Sequence, residues 1–257
     1  MWGSVEMLAS KRHSFIINLI KEKGAVSVNE LSSKMGVSVE TVRRDLLILE
    51  KSNALTRVHG GAVSVGEMIS YHSLSARKEE NVNEKIELSI IAAKLVDDGD
   101  IIYVDSGTTP VHFARAIKEK AATVITCSIE VFNELKGGRA KVILCGGEYN
   151  DEIVSFCGPL ALDTLGKLCV GKAFIFPSAI SIRHGICDFS LAGYPMQVEA
   201  IAKADKVYVL ASSNKFEKNG LLKLCDLSPE HVYVTDSNIK KEILNAYREN
   251  GLQIICK

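Results

Sequence analysis

Apolar positions near the start of the chain follow a helical period. Phe15, Ile16, Leu19 and Ile20 fall at i, i+1, i+4 and i+5, one stripe of an amphipathic helix running from about Ser10 to Lys23, where Gly24 stops it. Ser27-Val28-Asn29-Glu30 sets a hydroxyl three residues ahead of a carboxylate, the capping box that opens a second helix through Met35. Gly36 is the turn, and Ser38 caps a third helix whose buried face is Val42, Leu46 and Leu49. Two short helices joined by a tight glycine turn predict a helix-turn-helix. After Asn53 the period changes to two. Leu55 and Arg57 alternate with Thr56 and Val58, and Gly60-Gly61 suits a tight turn, so a β-hairpin wing is expected.

From Ser64 to Ser75 the periodicity is lost. The chain therefore divides into a head over 1–64, a linker over 65–76 and a body over 77–257. Helical spacing returns from Lys78 to Val96, with Ile86, Ile90, Ala93 and Leu95 or Val96. Ile101–Val104 is a fully apolar run suited to a buried parallel strand. Pro110 fits the first turn of the following helix, which carries Phe113, Ala114 and Ile117. Strands are expected at 123–127, 142–145, 173–176, 207–211 and 232–235, and helices near 129–136, 159–165, 195–204 and 239–249. Alternating strand and helix predicts an α/β fold with a mainly parallel sheet.

Composition narrows the function classes. Of 257 residues 47% are hydrophobic, 24% charged and 6% aromatic, too apolar for a disordered chain and too charged for a bundle of membrane spans. No apolar run reaches the roughly 18 residues a membrane helix needs, so no membrane partner is expected. MWGSVEMLAS has no basic stretch followed by an apolar one, so no secretion signal is expected, and Met7 offers a second start position. Seven cysteines without a CxxC pair read as small buried hydrophobes of a cytoplasmic protein. Formal charge is zero overall, yet residues 1–65 carry nine Lys/Arg against six Asp/Glu. That small basic head hints at nucleic-acid contact by the head alone.

The chemistry gathers at two places. Off the apolar stripe of the third helix lie Glu40, Thr41, Arg43 and Arg44. A recognition helix reads base edges with its N-terminal residues, and Arg is suited to guanine. Ser38 at the cap, with Arg57 and His59 in the wing, completes a DNA-contacting set for a double-stranded operator. In the body, Asp105-Ser106-Gly107-Thr108-Thr109 joins an expected strand to a helix N-terminus. Gly107 lets backbone N–H groups approach an anion, and the hydroxyls add donors. The same loop also reads as a capped turn with no ligand. Lys215 is the best cation by position and Lys85 a second. Neither a GxGxxG fingerprint nor a P-loop is present, so no cofactor is expected, and no metal site is expected either.

Leu31-Ser32, Val37-Ser38-Val39-Glu40-Thr41-Val42-Arg43-Arg44-Asp45-Leu46, Leu49-Glu50 and Arg57–Ala62 closely resemble the DeoR family of bacterial transcription regulators. The resemblance continues through Arg77, Glu84-Lys85, the 105–109 loop, Leu144–Gly147, Ser155–Gly158, Ala173-Phe174 and Lys215-Phe216, nearly the entire chain. It implies a winged helix-turn-helix, usually in a repressor of sugar-metabolism genes, and a body over 77–257 for effector sensing and oligomerisation, resembling ribose-5-phosphate isomerase and CoA-transferase folds, that senses a phosphorylated sugar. It also implies that the 105–109 loop and the Gly146-Gly147 turn line that site. Departures cluster there: Thr126-Cys127-Ser128 where the family tends to Thr-Asn-Ser, Ser212 for Asp, Phe176-Pro177-Ser178-Ala179 for a Gly-rich turn, and Gly193 and Gln197 for a Glu and a Lys in an ungapped count. The expected protein is a homo-oligomeric (dimeric or tetrameric) regulator and not an enzyme. Two alternatives stay open: an isomerase- or transferase-like enzyme with a DNA-binding head, in which Asp105 and Glu148 are the plausible carboxylates, and a regulator whose body has lost its ligand.

Overall fold

The structure, a computed structural model, describes residues 9–23, 25–52, 54–58, 60–64 and 74–256. The expectations for Gly24, His59 and most of the linker (65–73) lie outside the described residues.

The head holds α1 (Ala9–Lys23), β1 (Ala25–Ser27), α2 (Val28–Met35), α3 (Val39–Lys51), β2 (Leu55–Val58) and β3 (Gly61–Ser64). Its caps are those the sequence calls for. Ser27 Oγ accepts from Glu30 N at 3.0 Å, and Ser38 Oγ accepts from Thr41 N at 3.2 Å. Gly36, at φ 65°, takes the left-handed turn that any Cβ would disfavour. Ile16, Ile20, Leu31, Val42, Leu46, Leu49 and Leu55 form one buried core. The hairpin gains an unexpected third strand, because β1 pairs antiparallel with β3.

In the body, α4 (Leu74–Glu79) and α5 (Val82–Ala93) replace the single helix expected from Lys78 to Val96. Asn81, at φ 50°, breaks it, and the apolar period alone does not register such a kink. Leu74 opens α4 inside the stretch read as linker. Then come β4 (Ile101–Val104), α6 (Thr108–Ile117), β5 (Thr123–Thr126), α7 (Ile129–Leu135), β6 (Lys141–Leu144), β7 (Glu148–Asn150), β8 (Ser155–Cys157), α8 (Gly158–Gly166), β9 (Val170–Ile175), β10 (Ala179–Ser181), β11 (Gly185–Asp188), α9 (Tyr194–Lys203), β12 (Ala204–Leu210), β13 (Leu222–Cys225), β14 (Val232–Val234), α10 (Lys241–Glu249) and β15 (Gln253–Ile255).

Seven strands form a wholly parallel sheet in the order β15-β14-β12-β9-β4-β5-β6. Alternate side chains feed two cores, as a sheet covered on both faces requires. Tyr103, Ile125, Ile175 and Val209 pack with Leu165 of α8, Ala200 of α9 and Tyr247 of α10. Ile102, Val104, Val124 and Phe174 pack with Leu88 of α5, Phe113 of α6 and Val131 of α7. Phe174 also stacks on Tyr208 at 4.8 Å. Two antiparallel additions were not expected: the β7–β8 hairpin, and a small sheet in the order β10-β11-β13. Among the described residues no helix is long and apolar enough to cross a membrane, and no group of three or more His, Cys, Asp or Glu is placed to hold a metal.

Candidate functional site

The surface of α3 divides by period. Val42, Leu46 and Leu49 are buried, whereas the Arg43 and Arg44 side chains are 64% and 78% exposed. Both lie near Glu40, at 3.9 and 3.8 Å, an open surface contact worth little. Thr41 Oγ1 sits 2.9 Å from Ser38 Oγ, so the two hydroxyls share the start of the helix. Arg57 is exposed on β2, with its backbone N–H and its guanidinium both directed to Glu50. Asp45, on the inward side of α3, is buried. It accepts from Arg12 Nε at 2.6 Å and Nη2 at 3.1 Å, and lies 3.0 Å from His13 Nε2, which clamps α1 to α3. Burial pushes its carboxyl up, but the hydrogen bonds and charges of Arg12 and His13 outweigh that and hold it below the ordinary value.

A cleft opens where the carboxyl ends of β4, β9 and β12 meet α4 and α5, the place a parallel sheet offers a ligand. Ser106, Gly107, Thr108 and Thr109 line it at the N-terminus of α6. Gly107 holds φ 131°, closed to other residues, although a Cβ there would meet only the Pro110 ring at ordinary distance. Its conformation, not crowding, demands glycine. Lys215 and Lys85 both line the cleft, joined by Arg77 of α4. Burial lowers the Lys215 pKa to about 8, with the charges of Arg77 and Lys85 adding to the effect. Burial and Arg77 lower Lys85 as well, and its ammonium donates to the Arg77 carbonyl. Three cationic side chains thus repel one another around one space, which an anion would relieve.

Behind them stands a carboxylate pair. Asp105 Oδ1 accepts from Ser106 N at 2.7 Å, and Oδ2 accepts from Phe176 N at 3.3 Å and Gln197 Nε2 at 2.9 Å. Asp188 Oδ1 accepts from Phe189 N, Ser190 N and Ser178 Oγ, and its Oδ2 accepts from Gln197 Nε2 at 3.2 Å. Burial first, and the Asp188 charge with it, raise the Asp105 pKa to about 7.

The structure therefore brings together most of the expected ligand residues but not all. Asp105 is buried beneath Gln197 and does not line the cleft. Gly146 and Gly147 are also absent from its lining. Gly147 instead lets β8 and α8 approach: a Cβ there would stand 2.6 Å from the Cys157 carbonyl and 3.0 Å from Ala161. Glu148 is exposed on β7, outside the lining, beside Gly158. Of the departures, Phe176, Pro177, Ser178, Gly193, Gln197 and Ser212 line the cleft. Cys127 does not; it lies buried against Tyr103, its thiol pushed up to about 12 by burial. Asp188, Ser190 and Glu80 were not foreseen. They come from the small antiparallel sheet and the broken helix, so the rule of strand ends did not reach them.

Comparison with known proteins agrees with this architecture. The DeoR-like helix-turn-helix domain matches residues 12–67, and the DeoR C terminal sensor domain matches residues 80–237. An HTH-type transcriptional regulator, YulB of Bacillus subtilis, is 31% identical over 249 residues, covering 96% of each chain. A lactose phosphotransferase system repressor of Staphylococcus epidermidis is 31% identical over 241 residues, covering 91% of this chain and 95% of its own. Ribose 5-phosphate isomerase of Methanocaldococcus jannaschii matches 53% of this chain and 55% of its own at 18% identity, with a TM-score of 0.40. The two domain matches and the relatives at 31% identity over nearly the whole chain show that it belongs to the DeoR family of DNA-binding transcriptional regulators.

Proposed function

We propose that this regulator is a repressor of carbohydrate-metabolism genes whose hold on DNA is set by a phosphorylated sugar or similar anionic metabolite in the body cleft. The observation that carries the reading is the convergence of Lys215, Lys85 and Arg77 on the hydroxyl-rich start of α6. A helix terminus alone gives an anion about 0.3–2 kcal/mol, while micromolar affinity needs about 8 kcal/mol. The three cations supply donors of the strength required. In the head, Arg43, Arg44, Thr41, Glu40 and Ser38 enter the major groove, and Arg57 meets phosphates.

The body reads as a sensor rather than a catalyst. Among the residues lining the cleft there is no His or Cys, Asp188 is engaged by Phe189, Ser190 and Ser178, and Glu80 stands among the charges of Lys85 and Lys215, while Asp105, raised to about 7, lies beneath Gln197 outside the lining. Residues 1–64 act as the reading head and 77–257 as the sensing unit, with the chain working as a homo-oligomer in the cytoplasm. Ile86 and Ile90, 40% and 53% exposed at i and i+4 on α5, offer an apolar stripe for a second copy.

Thermal unfolding against a panel of sugar phosphates tests the cleft. A true ligand at about 100 times its dissociation constant stabilises by about 2.7 kcal/mol. Lys215→Met weakens that ligand about 10- to 100-fold, because it removes a charged partner from a half-buried site. Equal protection of wild type and variant would refute the cleft as the anion site.

A further inference from the structure

Gln197 is 5% exposed and sits between two carboxylates. Both groups facing it are acceptors, so its NH2 must turn toward them, one hydrogen to Asp105 and one to Asp188. The opposite atom, Oε1, is buried with no hydrogen-bond partner among the described residues, on a side chain that lines the cleft. Asp188 lines the cleft beside it. A neutral amide thus bridges two acids, of which Asp105 is raised to about 7 by burial and by the Asp188 charge, and Asp188 faces the charge of Lys215. A buried acceptor left without a donor is costly, so a ligand that meets it is strongly selected. A hydroxyl can donate one hydrogen there, but it brings no charge to the Asp105–Asp188 pair. An ammonium donates to Oε1 and to the Asp188 carboxylate together and adds positive charge beside the acid pair.

Resting on the anion reading above, we infer that the ligand is bipolar, with a phosphate held by Lys215, Lys85 and Arg77 and a nitrogen N–H group, simplest as a primary ammonium, seated on Gln197 Oε1 and Asp188. The class is a phosphorylated amino sugar or a related phosphorylated amine. A bare divalent cation fits less well. The carboxylate oxygens already accept from Ser106, Phe176, Ser178, Phe189, Ser190 and Gln197, which leaves few lone pairs for a metal, even one that keeps most of its waters.

The test is calorimetric titration of the full chain at pH 7 with matched pairs: glucosamine 6-phosphate against glucose 6-phosphate, galactosamine 6-phosphate against galactose 6-phosphate, and 2-aminoethyl phosphate against 2-hydroxyethyl phosphate. The unphosphorylated amines and MgCl2 are run beside them. In the tightest pair the amine member binds at least 10-fold more strongly. Gln197→Lys, which places a cation between the acids, turns the preference toward the hydroxyl member, and Asp188→Asn weakens the amine member more than its hydroxyl twin. If the hydroxyl member of every pair binds as well or better, the nitrogen end is overturned while the anion reading stands. An unphosphorylated amine binding as tightly as its phosphate ester would instead overturn the anion reading. Binding of Mg2+ alone to the wild type, or of no compound at all, refutes the bipolar ligand.

Discussion

Arg43→Ala with Arg44→Ala weakens specific DNA binding by about 100-fold or more, since each bidentate contact to a base is worth about 1–3 kcal/mol. The duplex is one selected from random sequence by the wild-type chain, and the readout is fluorescence anisotropy at fixed salt, because phosphate contacts make every affinity salt-dependent. Folding is not the confounder. Both side chains point to solvent, their contact with Glu40 is long, and Ala is the strongest helix former. The variant keeps weak binding to unrelated duplexes through its other basic groups. A double variant that binds the selected duplex as tightly as wild type would remove α3 from the role given to it.

The second large effect belongs to Asp45→Asn. Arg12 is only 14% exposed and its guanidinium has been arranged around this carboxylate, so the change leaves a half-buried cation facing a neutral amide. Breaking a buried pair costs about 3–5 kcal/mol, and the partial exposure of Arg12 brings this to about 2–3 kcal/mol. Hydrogen exchange reads it locally: protection of α1 and α3 amides falls about 30- to 150-fold, while amides of the parallel sheet keep theirs. The wild type has a matching pH signature. The Asp45 pKa is lowered in the folded chain, so its contribution is complete above the unfolded value near 3.9 and is lost as pH falls through the folded one. The variant lacks that dependence. Unchanged protection in α1 and α3 would mean the clamp is idle.

What was legible in the sequence was what is decided locally. Ser27, Ser38 and Gly36 announce the helix ends of the head because caps and left-handed turns act within three residues. The parallel strands announce themselves as apolar runs, because both faces of the sheet are covered. Three-residue strands such as β10 and β15 carry too few positions for any period to show. The break at Asn81 hides because the apolar spacing of α5 begins beyond it. The 105–109 loop was readable as a strand, a glycine and a helix start in sequence. Of its opposite wall the family resemblance pointed to Gln197 but not to Asp188, since the two are brought to Asp105 across 92 and 83 positions of chain through contacts no local pattern encodes.

The proposed function requires that a ligand in the cleft changes the head's hold on DNA. Anisotropy titrations of the selected duplex, with and without whichever phosphorylated compound raises the melting temperature, test it directly. This compound is expected to change DNA affinity at least several-fold, and Lys215→Met to abolish the change while binding the duplex normally in its absence. A compound that stabilises the body through Lys215 yet leaves DNA affinity unaltered would contradict it.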